Sequence, residues 1–292
     1  MYKSIAKNKR NTVLIMGVFV ALIGAIGWAV AYMNNGNASI GVTILIIGAI
    51  YALFQYFAAS KLAVAMTGAV EIQKKDNPRL FRIIENLAIT MGMPMPKVYI
   101  INDQAPNAFA TGRSPEHAIV GVTTGLLEIM DDNELEAVMA HEMGHVKNYD
   151  IRVSTIAFGL VSLIGFIADI AIRMLIWGDN RNNNTNPFVM VIGFAVILLS
   201  PLIASMTQLA ISRQREFLAD ATSVMTTRHP DGMTSALAKL GQYGKPMEKQ
   251  NTSTANLFLV NPLKKGFFSR MFSTHPDIKD RINRINENKE KF

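Results

Sequence analysis

The stretch AVMAHEMGHVKNYD, Ala137–Asp150, sets His141 and His145 four residues apart with Glu142 beside the first. Residues four apart on a helix stand one above the other on the same face. Two imidazoles presented that way can bind one tetrahedral Zn²⁺, and Glu142 lies where a carboxylate can take a proton from an activated water. Asp131 or Asp132 caps the helix, which starts near Asn133 with Glu134 and Glu136 in its first turn. Val138, Met139 and Val146 supply packing positions. The residues after His145 lack the downstream Gly and His of the metzincin pattern, so a third ligand must come from farther along the chain. A few residues on, an apolar run begins at Val153, and the metal site stands at the lip of a candidate membrane span.

That run is one of four. Residues 11–33 and 39–60 hold no charged side chain and are joined by the polar turn 34–37. At about 1.5 Å per residue, each can cross a hydrocarbon core of about 30 Å. A cleaved signal peptide followed by one anchor is the weaker alternative, because the first run is long and no small-x-small cleavage site follows it. Residues 153–177 carry Asp169 and Arg173 four apart, and residues 187–212 contain Pro201 and Gln208. A soluble hydrophobic hairpin competes for this second pair. Lys3, Lys7, Lys9 and Arg10 precede the first span and Lys61 follows the second, whereas the 34–38 loop has no basic residue. The positive-inside rule then puts both termini, and the polar regions 61–152 and 213–292, in the cytoplasm.

Composition agrees with a membrane protein carrying a polar portion. Half the residues are hydrophobic and 17% are charged, and mean hydropathy is +0.21. A net charge of +7 could signal nucleic acid, but no arginine-rich stripe with interleaved aromatics is present, and basic residues flanking spans account for much of it. The absence of cysteine excludes disulfides, thiol nucleophiles and thiolate metal sites. The fold class expected is an α+β membrane protein. It comprises four transmembrane helices with a cytoplasmic, mainly helical, zincin-like protease domain and a small β-sheet. The segments are the N-terminus 1–10, a hairpin 11–60, the first protease part 61–152, a second hairpin 153–212 and the second protease part 213–292.

Within the polar regions, the pattern from Asn77 to Gly92 predicts a helix, and short strands are expected at 98–101, 107–111 and 118–123. Further helices are expected at 213–225, from 232 and at 276–288. Glu216 in RQREFLAD is the positional choice for the third ligand, because two helices adjoining neighbouring spans bring their ends together; an ordinary surface carboxylate is the alternative. Asp220, four residues on, shares its face and can accept from the N–H of a ligand histidine.

The chain resembles the HtpX family of membrane zinc metalloproteases, related to the CAAX prenyl endopeptidases. The resemblance carries over the two zinc-ligand histidines to His141 and His145, the general base to Glu142, the distant ligand to Glu216 and the trailing aspartate to Asp220. The family's Asn-Ala-Phe-Ala segment falls on Asn107–Ala110, and its His-Pro segment and following arginine fall on His275-Pro276 and Arg281. One departure is Asp277, where relatives often have a second proline. The resemblance implies one Zn²⁺ per subunit and substrate or transition-state contacts at Asn107, His275 and Arg281. It implies a multi-pass protein of the inner or plasma membrane that cleaves segments of misfolded or damaged membrane proteins, with membrane lipid as its surroundings and no nucleic-acid partner. The competing readings are a non-catalytic membrane scaffold with a structural metal and CAAX-type processing of lipidated peptides.

Overall fold

In the computed structural model the first two apolar runs form continuous helices, α1 (Tyr2–Met33) and α2 (Ala38–Thr67). The structure describes residues 2–33, 36–162, 213–243, 246–249, 254–262 and 276–291. Asn37 caps α2 by accepting from the Ser39 N–H, and the two helices pack along their length. A Cβ at Gly48 would run into the side chain of Ile23, so glycine lets the two helices come this close; small residues serve this purpose between helices in lipid. Val13, Trp28, Ile47, Ile50 and Phe54 point outward. Apolar side chains facing away from a hairpin on both helices match a hydrocarbon surrounding.

The span count departs from the sequence reading. Among the described residues two helices, not four, have the length and apolarity to cross a membrane, over Ile5–Ala29 and Ala38–Thr67. The third run is described only to residue 162, and there its apolar side chains serve packing within the protein. Val153, Ile156, Ala157 and Leu160 are buried against Ile15, Phe19 and Ala52 of the hairpin. The rest of that run and the fourth, 187–212, lie outside the described residues. The fold class is therefore corrected to a mainly helical domain with a four-stranded sheet and two candidate membrane helices.

Beyond α2 the chain adds β1 (Val70–Glu71), then α3 (Pro78–Met91). Asn77 caps α3 through the Leu80 N–H, Pro78 sits in its first turn where no N–H is needed, and Gly92 ends it in the left-handed region. β2 (Lys97–Ile101), β3 (Ala108–Gly112) and β4 (Ala118–Thr123) complete a sheet of order β1-β2-β4-β3. β2 and β4 are parallel, with Tyr99 opposite Gly121; β3 and β4 form an antiparallel hairpin, with Phe109 opposite Gly121. α4 (Thr124–Ile129) follows directly.

α5 (Asp132–Lys147) is the central helix. Asp131 and Glu134 make a reciprocal capping box, so the start of α5 is fixed by its own first turn. Leu135, Val138, Met139, Met143 and Val146 pack with Leu80, Ile84 and Leu87 of α3 and with Val120 and Val122 of β4. On its other side lie α6 (Arg213–Thr227), α7 (Pro230–Gln242) and α8 (Ile278–Glu287). Ala137 packs there with Val224, Met233, Leu237 and Ile285. The buried Glu134 carboxylate accepts from Lys239 Nζ and Ser235 Oγ, both at 2.6 Å, and ties α7 to α5.

Candidate metal centre

α5 and α6 approach closely because Gly144 presents no side chain to α6. A Cβ there would lie 3.3 Å from Thr222 Cβ and 3.6 Å from Ala219 Cα. Two turns nearer the start of α5, Ser223 Oγ donates to the Ala137 carbonyl at 2.6 Å and fixes the register of the two helices. In that register Glu216 and Asp220, on one face of α6, come against His141 and His145 of α5. All four helix positions follow from i,i+4 spacing on two helices.

The ring nitrogens divide into two sets. His141 Nδ1 donates to Asp220 Oδ1 at 2.8 Å, and His145 Nδ1 donates to Asp150 Oδ2 at 3.1 Å. These bonds leave both Nε2 atoms facing inward, 3.2 Å apart. Glu216 supplies the third corner, with Oε2 at 3.7 Å from His141 Nε2 and Oε1 at 3.5 Å from His145 Nε2. One ligand atom from each residue falls within 4.8 Å of the other two. Nitrogens held about 2.0–2.1 Å from one tetrahedral zinc would stand roughly 3.3–3.4 Å apart, close to the spacing found.

Charge gives a second test of fit. Glu142, Asp150, Glu216 and Asp220 bring four carboxylates together with two guanidinium groups, Arg215 and Arg281. A divalent cation offsets the excess negative charge. Burial opposes charge on His145, but Glu216, Asp150 and Glu142 outweigh it and raise its pKa to about 9. His141 goes the other way. Burial, opposed by Asp220 and reinforced by Arg281, pushes it down to about 4. Two neutral-capable imidazoles, a carboxylate and a fixed Nδ1–H on each ring form a zinc-type donor set with its outer acceptors in place.

Glu142 is buried beside these ligands, and burial pushes its pKa up to about 7, with Glu216 adding to the rise and His145 and Arg281 opposing it. Arg281 is fully buried behind His141. Its Nε and Nη2 donate to the two oxygens of Asp220 at 2.9 and 2.6 Å, and its Nη2 lies 3.4 Å from His141 Nδ1. Its Nη1 stands 3.9 Å from Glu216 Oε2. The guanidinium thus holds Asp220 well below the usual carboxylate range, against the effect of burial.

A profile of "Peptidase family M48" matches residues 74–289. The chain belongs to peptidase family M48. An M48 relative, "Protease HtpX homolog" of Tropheryma whipplei (strain Twist), is 54% identical over 287 residues, 98% of each chain. A relative of the same description from Ligilactobacillus salivarius is 43% identical over 292 residues, 98% of this chain and 99% of its own. The crystal structure of S. mikatae Ste24p shares the fold at a TM-score of 0.51 and 17% identity, covering 98% of this chain and 67% of that one. As an M48 peptidase of the HtpX type, the protein is a zinc metalloprotease acting on polypeptides, with one such site, His141–His145–Glu216, among the described residues.

Asn107 and His275, also singled out in the sequence, lie within the matched residues 74–289. Asn107 is buried, its Nδ2 donating to the Val260 carbonyl at 2.8 Å and its Oδ1 accepting from the Val260 and Ala108 N–H groups. The outer edge of β3 beside it is paired with this chain's own Phe258 and Leu259, the Leu259 N–H donating to Ala108 at 2.9 Å. An extended substrate cannot add at that point without displacing them. His275 lies outside the described residues. Asp150 is a site residue that sequence reading left unassigned. It stands beyond the end of α5, where helical spacing no longer indicates a face.

Proposed function

We propose that the protein is a membrane-anchored endopeptidase that cleaves exposed segments of misfolded or damaged membrane proteins at the cytoplasmic surface, in membrane-protein quality control. The observation that carries this reading is the convergence of His141, His145 and Glu216, with Glu142 beside them, where the domain meets the hairpin.

Each role follows from chemistry. His141, His145 and Glu216 would hold the zinc ion, which when bound supplies a Lewis acid able to polarise a carbonyl and to lower the pKa of water to about 7. Asp220 and Asp150 accept from Nδ1 of the two histidines, keep each ring in the tautomer that offers Nε2, and hold the rings in place. Glu142 takes the proton from the attacking water and returns it to the leaving amine; a carboxylate raised toward neutrality is matched to both transfers. Arg281 keeps Asp220 charged and aligned.

The cytoplasmic placement rests on charge. Lys3, Lys7, Lys9 and Arg10 precede the first helix and Lys61 stands near the end of the second, with an uncharged turn between them. Two spans return the chain to the side on which it began, and the contact of Asn8 with Asn148 and Asp150 supports this arrangement. The test is cleavage in proteoliposomes of a destabilised multi-span protein, with product ends mapped by mass spectrometry. Metal-dependent cuts in surface loops on the side of Lys61 are expected. Cuts confined to hydrocarbon spans or to the opposite face would refute the proposal.

A further inference from the structure

Asn8 lies near the start of α1, just before the uncharged run, and is 2% exposed. A carboxamide buried without partners is costly, so its contacts need accounting for. Its Nδ2 donates to the backbone carbonyl of Asn148 at 2.8 Å and to Asp150 Oδ1 at 2.7 Å. The other oxygen of that carboxylate, Asp150 Oδ2, accepts from His145 Nδ1 at 3.1 Å. Two hydrogen bonds therefore connect a residue of the first membrane helix to a metal ligand more than a hundred positions away in sequence. Asn148 is the residue that ends α5, so one side chain fixes both the helix terminus and the carboxylate beyond it.

Among the described residues the other charged group beside Asp150 is Arg215. Arg215 Nε is 3.7 Å from Asp150 Oδ1, longer than a hydrogen bond, and attracts the carboxylate without setting its plane. Tyr149, between the two contact points, has φ of 61°, a conformation that a bulky residue adopts only when its neighbours hold it. Lys9 of α1 lies 4.8 Å from the Tyr149 ring centroid, a second contact from the same helix to the same turn.

We propose that Asn8 is a positioning residue of the metal centre, through which α1 sets Asp150 and thereby the ring of His145. It touches none of the three ligands; it reaches His145 through Asp150, and its bond to the Asn148 carbonyl seats it at the end of α5. α1 is then a working part of the peptidase as well as an anchor. This rests on the reading of His141, His145 and Glu216 as the zinc site.

The test uses the full-length protein in lipid nanodiscs. Zinc affinity is measured by chelator competition, and the visible absorption of the Co²⁺-substituted protein reports ligand geometry. Asn8→Leu and Asn8→Ala both remove the donor but differ in volume; each should weaken zinc binding about threefold to tenfold, below the 10–100-fold typical of losing the acceptor itself, and shift the cobalt bands. In an Asp150→Asn background either change should add less than about twofold, because the path is already broken. Thr12→Val, one turn along α1, removes only a bond to the helix's own Asn8 carbonyl and should leave zinc affinity unchanged. Wild type that binds zinc together with Asn8 variants of unaltered affinity would overturn the proposal. So would the same loss in the presence and absence of Asp150. Wild type that binds no zinc would instead overturn the metal reading beneath it.

Discussion

His141 and His145 stand one turn apart on a single helix, yet their surroundings have little in common. The His141 side chain is 1% exposed and backed by Asp220 and Arg281, both supplied by helices of the peptidase domain. The His145 side chain is 15% exposed, and its acceptor, Asp150, follows the end of α5 and is held by Asn8 of the membrane hairpin. One half of the site is fixed by the domain's own core and the other by its junction with α1. The contrast also appears in charge, with burial depressing His141 and three carboxylates raising His145. A metal centre can therefore be partly ordered by a domain and completed by its anchor.

Glu142 is the proposed acid–base group beside both histidines, and its replacement should produce the largest effect. Glu142→Gln is expected to lower peptide-bond cleavage about 10²–10⁴-fold, the usual worth of a positioned acid–base group, while zinc content stays at one per chain. Turnover and zinc measured on one preparation decide this; full activity would remove Glu142 from the chemistry.

The next comparison opposes the two acceptors. Asp220→Asn and Asp150→Asn should each weaken zinc binding about 10–100-fold. The first takes away a carboxylate bonded at 2.9 and 2.6 Å to the fully buried Arg281, whereas Asp150 stands 3.7 Å from the less buried Arg215, so Asp220→Asn should also cost more stability, about 3–5 kcal/mol, seen as a lower midpoint in denaturant titration of the solubilised protein. Equal stability losses would mean that the domain half is no better fixed than the membrane half.

A pH series separates the histidines without mutation. His145 carries a proton up to about pH 9 in the metal-free protein, and zinc must displace it. Apparent zinc affinity should therefore rise as pH increases, up to about tenfold per unit between pH 7 and 9, and level off above that. Asp150→Asn removes one group that favours the proton, so levelling should begin at lower pH. An affinity flat across this range would contradict the assigned charge.

The smallest expected effect belongs to the helix contact that serves both halves alike. Gly144→Ala puts a methyl 3.3 Å from Thr222 and asks α6 to move a few tenths of an ångström. A loss of zinc affinity of only a few fold is expected, measurable by competition with a chelator of known strength.

The parts of this architecture readable in sequence are those with a period or a cap. The α3 helix announced itself through Asn77, Pro78, Gly92 and an apolar stripe, and the capping of α5 by Asp131 needed only local residues. Glu216 is indicated by its place just past the last apolar run and Asp220 by its spacing four residues on, though only tertiary packing at Gly144 sets them against the histidines. Asp150 and Asn8 were not legible, because a side chain past a helix end and one in an apolar helix become partners only after folding. The two-residue β1 is too short to leave a pattern. The span count failed for a physical reason as well. An apolar run beginning at Val153 has the same composition whether it meets lipid or, as its described residues 153–162 do, the side chains of Ile15, Phe19 and Ala52.

The central claim is that α6 returns to complete a site begun on α5, and zinc affinity of Glu216→Gln against wild type tests it most directly. The carboxamide keeps the shape of the side chain but loses the charge that neutralises the cation. The account predicts a fall of at least about 10²-fold with one zinc per chain in wild type. Undiminished affinity in Glu216→Gln would contradict it.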